Sequence, residues 1–170
     1  MHRDQDTVEI ELHLLYNYNI VGKFLINNLG GHIMAVVQEL IRSENDGTLS
    51  FGNYKLSQKS KMADFEHNGD LYKVKTYNKI TKLERNGSFL YESVPGTAVF
   101  HLEHKENELC FQVTGEETAQ ITLELEAEKE YEIYKNDELL GKMKTNLGGK
   151  LIFSVELSED KCDLIKVVKL

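Results

Sequence analysis

The sequence predicts an all-β fold for residues 34–170, a β-sandwich or open barrel of roughly ten to eleven short antiparallel strands. Two observations support this prediction. Apolar and polar residues alternate along many short segments, which is the period of a half-buried strand. Asn-Gly, Asn-Asp and Asn-Asp-Gly sequences separate several of these segments, and such sequences favour the tight turns of β-hairpins.

The alternating segments follow one another along the chain from Val36 to the C-terminus. The strongest turn signals are Asn45-Asp46-Gly47, Asn86-Gly87 and Asn136-Asp137. The predicted strands are 36–43, 48–51, 71–77, 81–85, 88–94, 97–103, 108–114, 121–126, 131–135, 139–145, 151–157 and 164–168.

Three further sequence features bear on the predicted fold. Residues 57–64 are the one candidate for a short helix after Met34. Two Gly-x-Leu-x-Phe sequences, at 47–51 and 149–153, predict strands whose Leu and Phe side chains share one face. Pro95 is expected to bend the chain between two halves. Each half would be near the size at which one core becomes marginal, so a single domain over 34–170 is the main prediction. The alternative is a pair of halves, 34–95 and 96–170.

Residues 1–33 do not share the alternating pattern. Asn residues interrupt every helix face in this segment, because Asn competes for backbone hydrogen bonds. The pair Gly30-Gly31 can be encoded by the purine-rich core of a bacterial ribosome-binding site, at a natural spacing before Met34. We therefore interpret residues 1–33 as a translated leader from a misassigned start. The alternative is an ordinary N-terminal extension with a Gly-Gly turn.

Composition argues against several classes of function. The formal net charge is −8, whereas nucleic-acid binding needs clustered Lys and Arg to contact phosphates. The sequence contains no run of about 18 apolar residues, so we expect no membrane span. Neither Met1 nor Met34 opens a signal peptide, which predicts a cytoplasmic protein. No residue pattern indicates a cofactor.

Cysteine and histidine residues mark no clear site. Cys110 and Cys162 are expected to be reduced thiols in the absence of an export signal, although a bridge between them is an alternative. His101, Glu103 and His104 suggest a metal site, but on a strand residues 101 and 103 share one face while 104 points to the other. Because no further ligand follows by spacing, we expect no metal.

Charge is unevenly distributed along the chain. Residues 52–91 hold eight Lys or Arg against four acids, and residues 100–140 hold three Lys against twelve acids. Charged residues commonly keep strand faces solvated and protect sheet edges from association. The alternative is head-to-tail association of two copies through surfaces of opposite charge.

Lysines interleaved with tyrosines mark the best candidate binding site, which lies in the basic segment. We expect this site to bind an acidic glycan or an acidic partner, and we assign it no catalytic residue. Tyr54, Tyr72, Tyr77 and Tyr91 are a candidate stacking platform for sugar, although Tyr on a strand is more often an ordinary sheet residue. The candidate ligand-binding residues are Tyr72, Lys73, Lys75, Tyr77, Lys79 and Lys82.

Three segments carry a family resemblance: MAVVQELIRSENDGTLSFGNYKL from Met34, HNGDLYKVKTYNKITKLERNGSFLYESVPGTAVF, and GKMKTNLGGKLIFSVEL. They resemble a group of short bacterial proteins labelled endosialidase, over nearly the whole length from Met34. Residues 131–155 are also similar to the closing strands of immunoglobulin-like accessory modules. The first resemblance implies a glycoside hydrolase that acts on sialic-acid polymers, and the second an immunoglobulin-like C-terminal part.

The arginine content bears on which function to expect. Sialidases as a class bind the sialic-acid carboxylate with three arginines, because guanidinium presents a bidentate fork to a carboxylate. Residues 34–170 contain two, Arg42 and Arg85. We therefore expect an interaction or assembly module without catalysis. Its partner would be an unknown protein, or a second copy through exposed strand edges. The alternative is a glycan-active or glycan-binding protein.

Overall fold

The computed structural model describes residues 36–170, which form two antiparallel β-sheets with a shared core. The predicted all-β fold is confirmed, and of its two forms the structure is the β-sandwich. The chain separates into two units, Met1–Met34 and Ala35–Leu170, and every described residue belongs to the second. The interpretation of residues 1–33 as a translated leader lies outside the described residues.

The strands of the described region are divided between two sheets. Sheet A has the order β1-β2-β7-β8-β13-β10-β11, and sheet B the order β12-β9-β6-β5-β4-β3. Both sheets combine strands from before and after Pro95, whose peptide bond with Val94 is cis. The strands are β1 Ile41–Ser43, β2 Leu49–Phe51, β3 Ser60–His67, β4 Asp70–Tyr77, β5 Ile80–Arg85, β6 Ser88–Val94, β7 Ala98–His104, β8 Glu108–Thr114, β9 Ala119–Glu124, β10 Glu130–Lys135, β11 Glu138–Lys144, β12 Lys150–Val155 and β13 Asp163–Lys169.

The short helix predicted at 57–64 is wrong, because most of this segment belongs to β3. β3 contains a β-bulge: Met62 pairs with Val74 and Phe65 pairs with Tyr72, so two residues of β3 stand opposite one of β4. Asp64, within the bulge, has a φ of 57°. A bulge shifts the alternation of side chains by one residue, which removes the period that identifies a strand in the sequence.

The predicted hairpin turns are present. Asn86 and Gly87 have φ angles of 50° and 78°, and Asn136 and Asp137 have 50° and 66°. Positive φ at both central residues matches the twist of the flanking strands, and Asn, Asp and Gly tolerate it best. The Asn86 side chain also accepts a hydrogen bond from the Leu71 N–H at 2.9 Å, which ties this turn to the start of β4.

Tyr91 of β6 is the centre of the core between the sheets. Its ring packs edge-on against Phe51 of β2 at 5.3 Å and against Phe111 of β8 at 5.8 Å between centroids. Both phenylalanines belong to sheet A, so Tyr91 bridges the two layers. The Leu and Phe of both Gly-x-Leu-x-Phe sequences face this core, as the sequence predicts: Leu49, Phe51, Leu151 and Phe153 are each at most 4% exposed.

A chain of fully buried hydroxyl groups crosses the interior beside Tyr91. The Thr97 N–H donates to Thr81 Oγ1 at 3.1 Å, and the Thr81 hydroxyl donates to the Thr97 carbonyl oxygen at 2.7 Å. Because Thr81 has one proton to give, Thr76, at 2.8 Å, must donate to Thr81. The Thr97 hydroxyl lies 2.8 Å from Tyr91 Oη and 2.7 Å from Ser93 Oγ. Burial raises the pKa of Tyr91 to about 12, so the phenol remains a neutral partner.

Gly96 lets two backbone segments approach closely just before this network. A Cβ atom at Gly96 would overlap the carbonyl oxygen of Tyr77. The Gly96 N–H also donates to the Asn78 carbonyl oxygen at 2.9 Å. The crossing from β6 to β7 therefore lies directly against the end of β4, and only glycine fits there.

We predict that Gly96→Ala lowers the free energy of unfolding by about 1–3 kcal/mol, the usual range for overpacking in a well-packed interior. Gly141→Ala is the matched control, because its Cβ would meet nothing nearer than the Met143 Cε atom at 3.9 Å. Urea denaturation measures both. Equal stability of the two variants would contradict the close approach at Gly96.

Candidate functional site

Four lysines converge in a shallow depression on the outer face of sheet B, which we call the lysine surface. The depression has a volume of about 110 Å³ and is lined by Lys61, Lys73, Lys75, Lys82 and Glu84. Lys61 of β3 pairs directly with Lys75 of β4, which pairs in turn with Lys82 of β5. Like charges in directly opposed positions destabilise a sheet. Stability of the sheet therefore does not account for this row of lysines.

Glu84 neutralises part of the lysine surface. Its carboxylate lies 2.9 Å from Lys82 Nζ and 3.7 Å from Lys73 Nζ. The hydrogen bond from Lys82 lowers the pKa of Glu84 and keeps it ionised. Within residues 36–170, Lys61 and Lys75 form no ion pair, so two ammonium groups are left available to a ligand.

The other predicted site residues divide between the two faces of sheet B. Tyr77 is half-buried at the end of β4, and Lys79 is exposed in the turn between β4 and β5. Tyr72 is 8% exposed, and its ring packs against His67 at 6.0 Å in the interior. Because neighbouring residues of a strand point to opposite faces, Tyr72 cannot share the face of Lys73. The prediction that Tyr72 belongs with the lysines is wrong.

The structure does not assemble the suggested tyrosine stacking platform. Tyr54 and Tyr91 are 1% and 0% exposed, and Tyr72 is buried as well. Burial also raises the pKa of Tyr54 and of Tyr72. These three tyrosines fill the interior, Tyr72 and Tyr91 from strands and Tyr54 from the turn after β2. Of the four rings, Tyr77 alone reaches the surface.

One aromatic residue of the outer face was missed by the sequence analysis. The Phe89 ring of β6 has Lys150 Nζ 3.2 Å from its centroid and Lys82 Nζ at 5.7 Å. Lys150 of β12 also pairs with Glu124 at 3.1 Å. The cations over this ring extend the lysine surface across sheet B. No local pattern signals the contact, because Phe89 and Lys150 are brought together only by the strand order.

The two histidines suggested as metal ligands have different surroundings. His101 has a φ of 54° in a bulge of β7, which interrupts the alternation that would place it on the face of Glu103. Its Nδ1 lies 3.1 Å from Asp46 Oδ2 and 3.0 Å from Thr48 Oγ1. Burial and the nearby Arg85 lower the pKa of His104. Residues 36–170 contain no group of three or more metal-ligating side chains.

A larger cleft, of about 350 Å³, opens among the turns at one end of the sandwich. Arg85 and His104 line it, together with Glu126, Tyr131 and Lys169. Glu126 and Lys169 form a close ion pair across the cleft. The hydrogen bond from Lys169 lowers the pKa of Glu126, which is the opposite of what a general acid of a glycosidase requires. Glu126 is therefore held as the anion of an ion pair and is unsuited to be that acid.

Both cysteines are free thiols, so the alternative of a Cys110–Cys162 bridge is wrong for this structure. Burial is the main cause that raises the pKa of Cys110 and of Cys162 to about 11 each. A thiol is a nucleophile as the thiolate, and little thiolate exists at neutral pH with such a pKa. Neither cysteine is suited to nucleophilic catalysis.

Comparisons of the chain with protein-family models, with curated proteins and with solved structures find no match in any of the three. The resemblance to proteins labelled endosialidase and the immunoglobulin-like assignment of residues 131–155 therefore stay predictions from the sequence. Within the described residues, no helix has the length and apolar character needed to cross a membrane.

We predict slow reaction of both thiols with a disulfide reagent at pH 8 in the folded protein. With a pKa of about 11, roughly one thiol in a thousand is ionised at that pH. The rate should rise nearly tenfold per pH unit between pH 8 and pH 10. The urea-unfolded chain is the control and should react with an ordinary cysteine pKa. A rate in the folded protein that levels off by pH 9 would contradict the raised values.

Proposed function

We propose that residues 35–170 form a non-catalytic interaction module that binds an acidic region of a partner protein through the lysine surface. The observation that carries this proposal is the row of Lys61, Lys75 and Lys82 on three neighbouring strands, with two of the three unpaired. Such a row is unfavourable in the free protein, and carboxylates of a partner would relieve the repulsion.

The composition of the surrounding face favours a protein partner over a glycan. Carboxylates are interspersed with the lysines, since Glu84 lies in the depression and Glu92 pairs directly with Lys82. Three apolar side chains on the same outer face are about half exposed, namely Leu71 at 50%, Val94 at 49% and Ile152 at 50%. Apolar groups beside charges of both signs are typical of a protein interface.

A glycan-binding protein is the second candidate, in keeping with the resemblance to proteins labelled endosialidase. The unpaired ammonium groups of Lys61 and Lys75 support it, because an acidic glycan offers carboxylates at regular intervals. One finding weighs against it: Tyr54, Tyr72 and Tyr91 are buried and therefore offer no stacking surface for sugar rings. Binding to two defined probes separates the candidates.

We predict that Lys61→Glu combined with Lys75→Glu weakens binding of fluorescent poly-L-glutamate by about tenfold at low ionic strength, as expected for reversal of charges at an exposed interface. Added salt should weaken binding by the unmodified protein, because exposed charges are screened. Fluorescence anisotropy measures both effects.

The matched control is Lys142→Glu combined with Lys144→Glu, which changes the net charge equally on exposed positions of β11. It should change the affinity by less than about twofold if binding depends on the lysine surface rather than on net charge. Equal losses in the two double variants would contradict the proposal. Tighter, saturable binding of polysialic acid than of poly-L-glutamate would favour the glycan candidate instead.

A further inference from the structure

The two sheets of the sandwich differ in their number of strands, and the additional strand lies at one edge. Sheet A has seven strands and sheet B has six. On one side the edge strands β1 and β3 meet, because Ser43 Oγ lies 2.7 Å from His67 Nδ1. The extra strand of sheet A is therefore on the far side, where β11 extends beyond β12. Consistent with this, β11 has exposed apolar side chains: Leu139 is 57% exposed, Leu140 46% and Met143 37%.

The neighbouring edge of sheet B is a regular strand with free backbone groups. β12 pairs with β9 in unbroken register, and the Leu125 N–H donates to the Gly149 carbonyl oxygen at 2.8 Å. In an antiparallel pair, alternate residues direct both backbone groups toward the partner strand. Residues 149, 151, 153 and 155 therefore bond to β9, whereas Ile152 and Ser154 direct their N–H and C=O groups away from it. No described residue hydrogen-bonds to these outward groups.

Asn146 and Lys135 form hydrogen bonds with the backbone at the two ends of this free edge. At the start of β12, the Lys150 N–H donates to Asn146 Oδ1 at 2.9 Å, and the Lys150 carbonyl oxygen accepts the Asn146 N–H at 3.2 Å. Just past the end of β12, Lys135 Nζ donates to the Glu156 carbonyl oxygen at 2.7 Å. The free edge is thus limited to Ile152 and Ser154, with a defined beginning and end.

We propose that an extended peptide segment of another protein adds to sheet B as a seventh strand beside β12. We call this place the open strand position. It is defined by the backbone of Ile152 and Ser154 and by Met143, which shares the inner face of sheet A with its pairing partner, the buried Tyr131. Main-chain hydrogen bonds to a sheet edge supply affinity in this mode of recognition, and alternate side chains supply specificity. The guest would cover the exposed side chain of Met143.

A folded second copy does not fit the open strand position through its own β12. The strand orders, aligned by the contact of Ser43 with His67, place β10 of sheet A opposite β12 of sheet B and β11 beyond it. A second copy paired through β12 would bring its own β10 into the space that β11 of the first copy occupies. A guest strand without a second layer avoids this clash. The position therefore suits an extended segment rather than a dimer of sandwiches.

Charge and alternation define the guest further. Lys150 and Glu156 flank the free edge at opposite ends, and no described residue forms an ion pair with Glu156. A guest antiparallel to β12 would place a basic residue beside Glu156 and, six residues further along the guest, an acidic residue beside Lys150. The positions between them would alternate, with apolar side chains over β11 and polar side chains on the outer face.

The test uses the full chain and a fluorescent peptide, acetyl-Lys-Val-Thr-Val-Thr-Val-Glu-amide, in anisotropy titrations. We expect saturable binding to the unmodified protein. Ser154→Pro should weaken it at least about tenfold, because it removes an N–H that faces the guest and not β9. Ser154→Ala keeps that N–H and is the matched control, with an expected change below about twofold.

A second variant distinguishes loss of binding from a folding defect, and a second peptide tests the expected charge pairing. Met143→Glu places a charge on the exposed inner face of β11 and should weaken binding without touching the β9–β12 ladder. The peptide with its terminal Lys and Glu exchanged should bind more weakly than the original. Absence of saturable binding at millimolar peptide, equal binding by both peptides, or unchanged binding by both Ser154→Pro and Met143→Glu would overturn the proposal. Lys61 and Lys75, which test the first proposal, lie on β3 and β4 at the opposite edge of sheet B from β12. Failure of one proposal therefore leaves the other standing.

Discussion

The buried hydroxyl network around Thr97 is the constraint on which the rest of the sandwich depends. The chain passes from sheet B to sheet A between β6 and β7, and Thr97 lies at that crossing. Its backbone bonds to Thr81 of β5, while its hydroxyl lies within hydrogen-bond distance of Tyr91 and Ser93 of β6. A buried polar group that loses its partner costs about 1–3 kcal/mol, so each of these hydroxyls depends on the others. The network fixes where the two sheets meet.

This interior constraint also positions the lysine surface. Thr76 and Thr81 are directly opposed on β4 and β5, and both side chains face the buried network. Their neighbours Lys75 and Lys82 are therefore directly opposed on the outer face, since side chains alternate along a strand. A one-residue slip of β4 against β5 would expose Thr76 and bury Lys75. The hydrogen bonds inside thus hold the register of the charges outside.

The sequence could predict the structural features that are determined by residues close together along the chain. The Asn-Gly and Asn-Asp turns and the Leu and Phe of the Gly-x-Leu-x-Phe strands are of this kind. The alternation of side chains was also enough to place Tyr72 on the face opposite Lys73, because the two residues are adjacent in one strand. β3 was missed because its bulge hides the period of the strand, and the contact of Phe89 with Lys150 depends on the order of strands in sheet B. The open strand position depends on how many strands each sheet receives, which no local pattern records.

The edge strands of the two sheets differ in how readily they can pair with another strand. In the described region β1 is short, β3 carries a bulge, and β11 carries both a bulge and two lysines. Such features blunt a sheet edge against unplanned pairing. β12 is regular and largely uncharged, yet Asn146 and Lys135 close its ends. An edge left entirely open would pair without selection, whereas an edge open at Ile152 and Ser154 admits a short strand of matching register and charge.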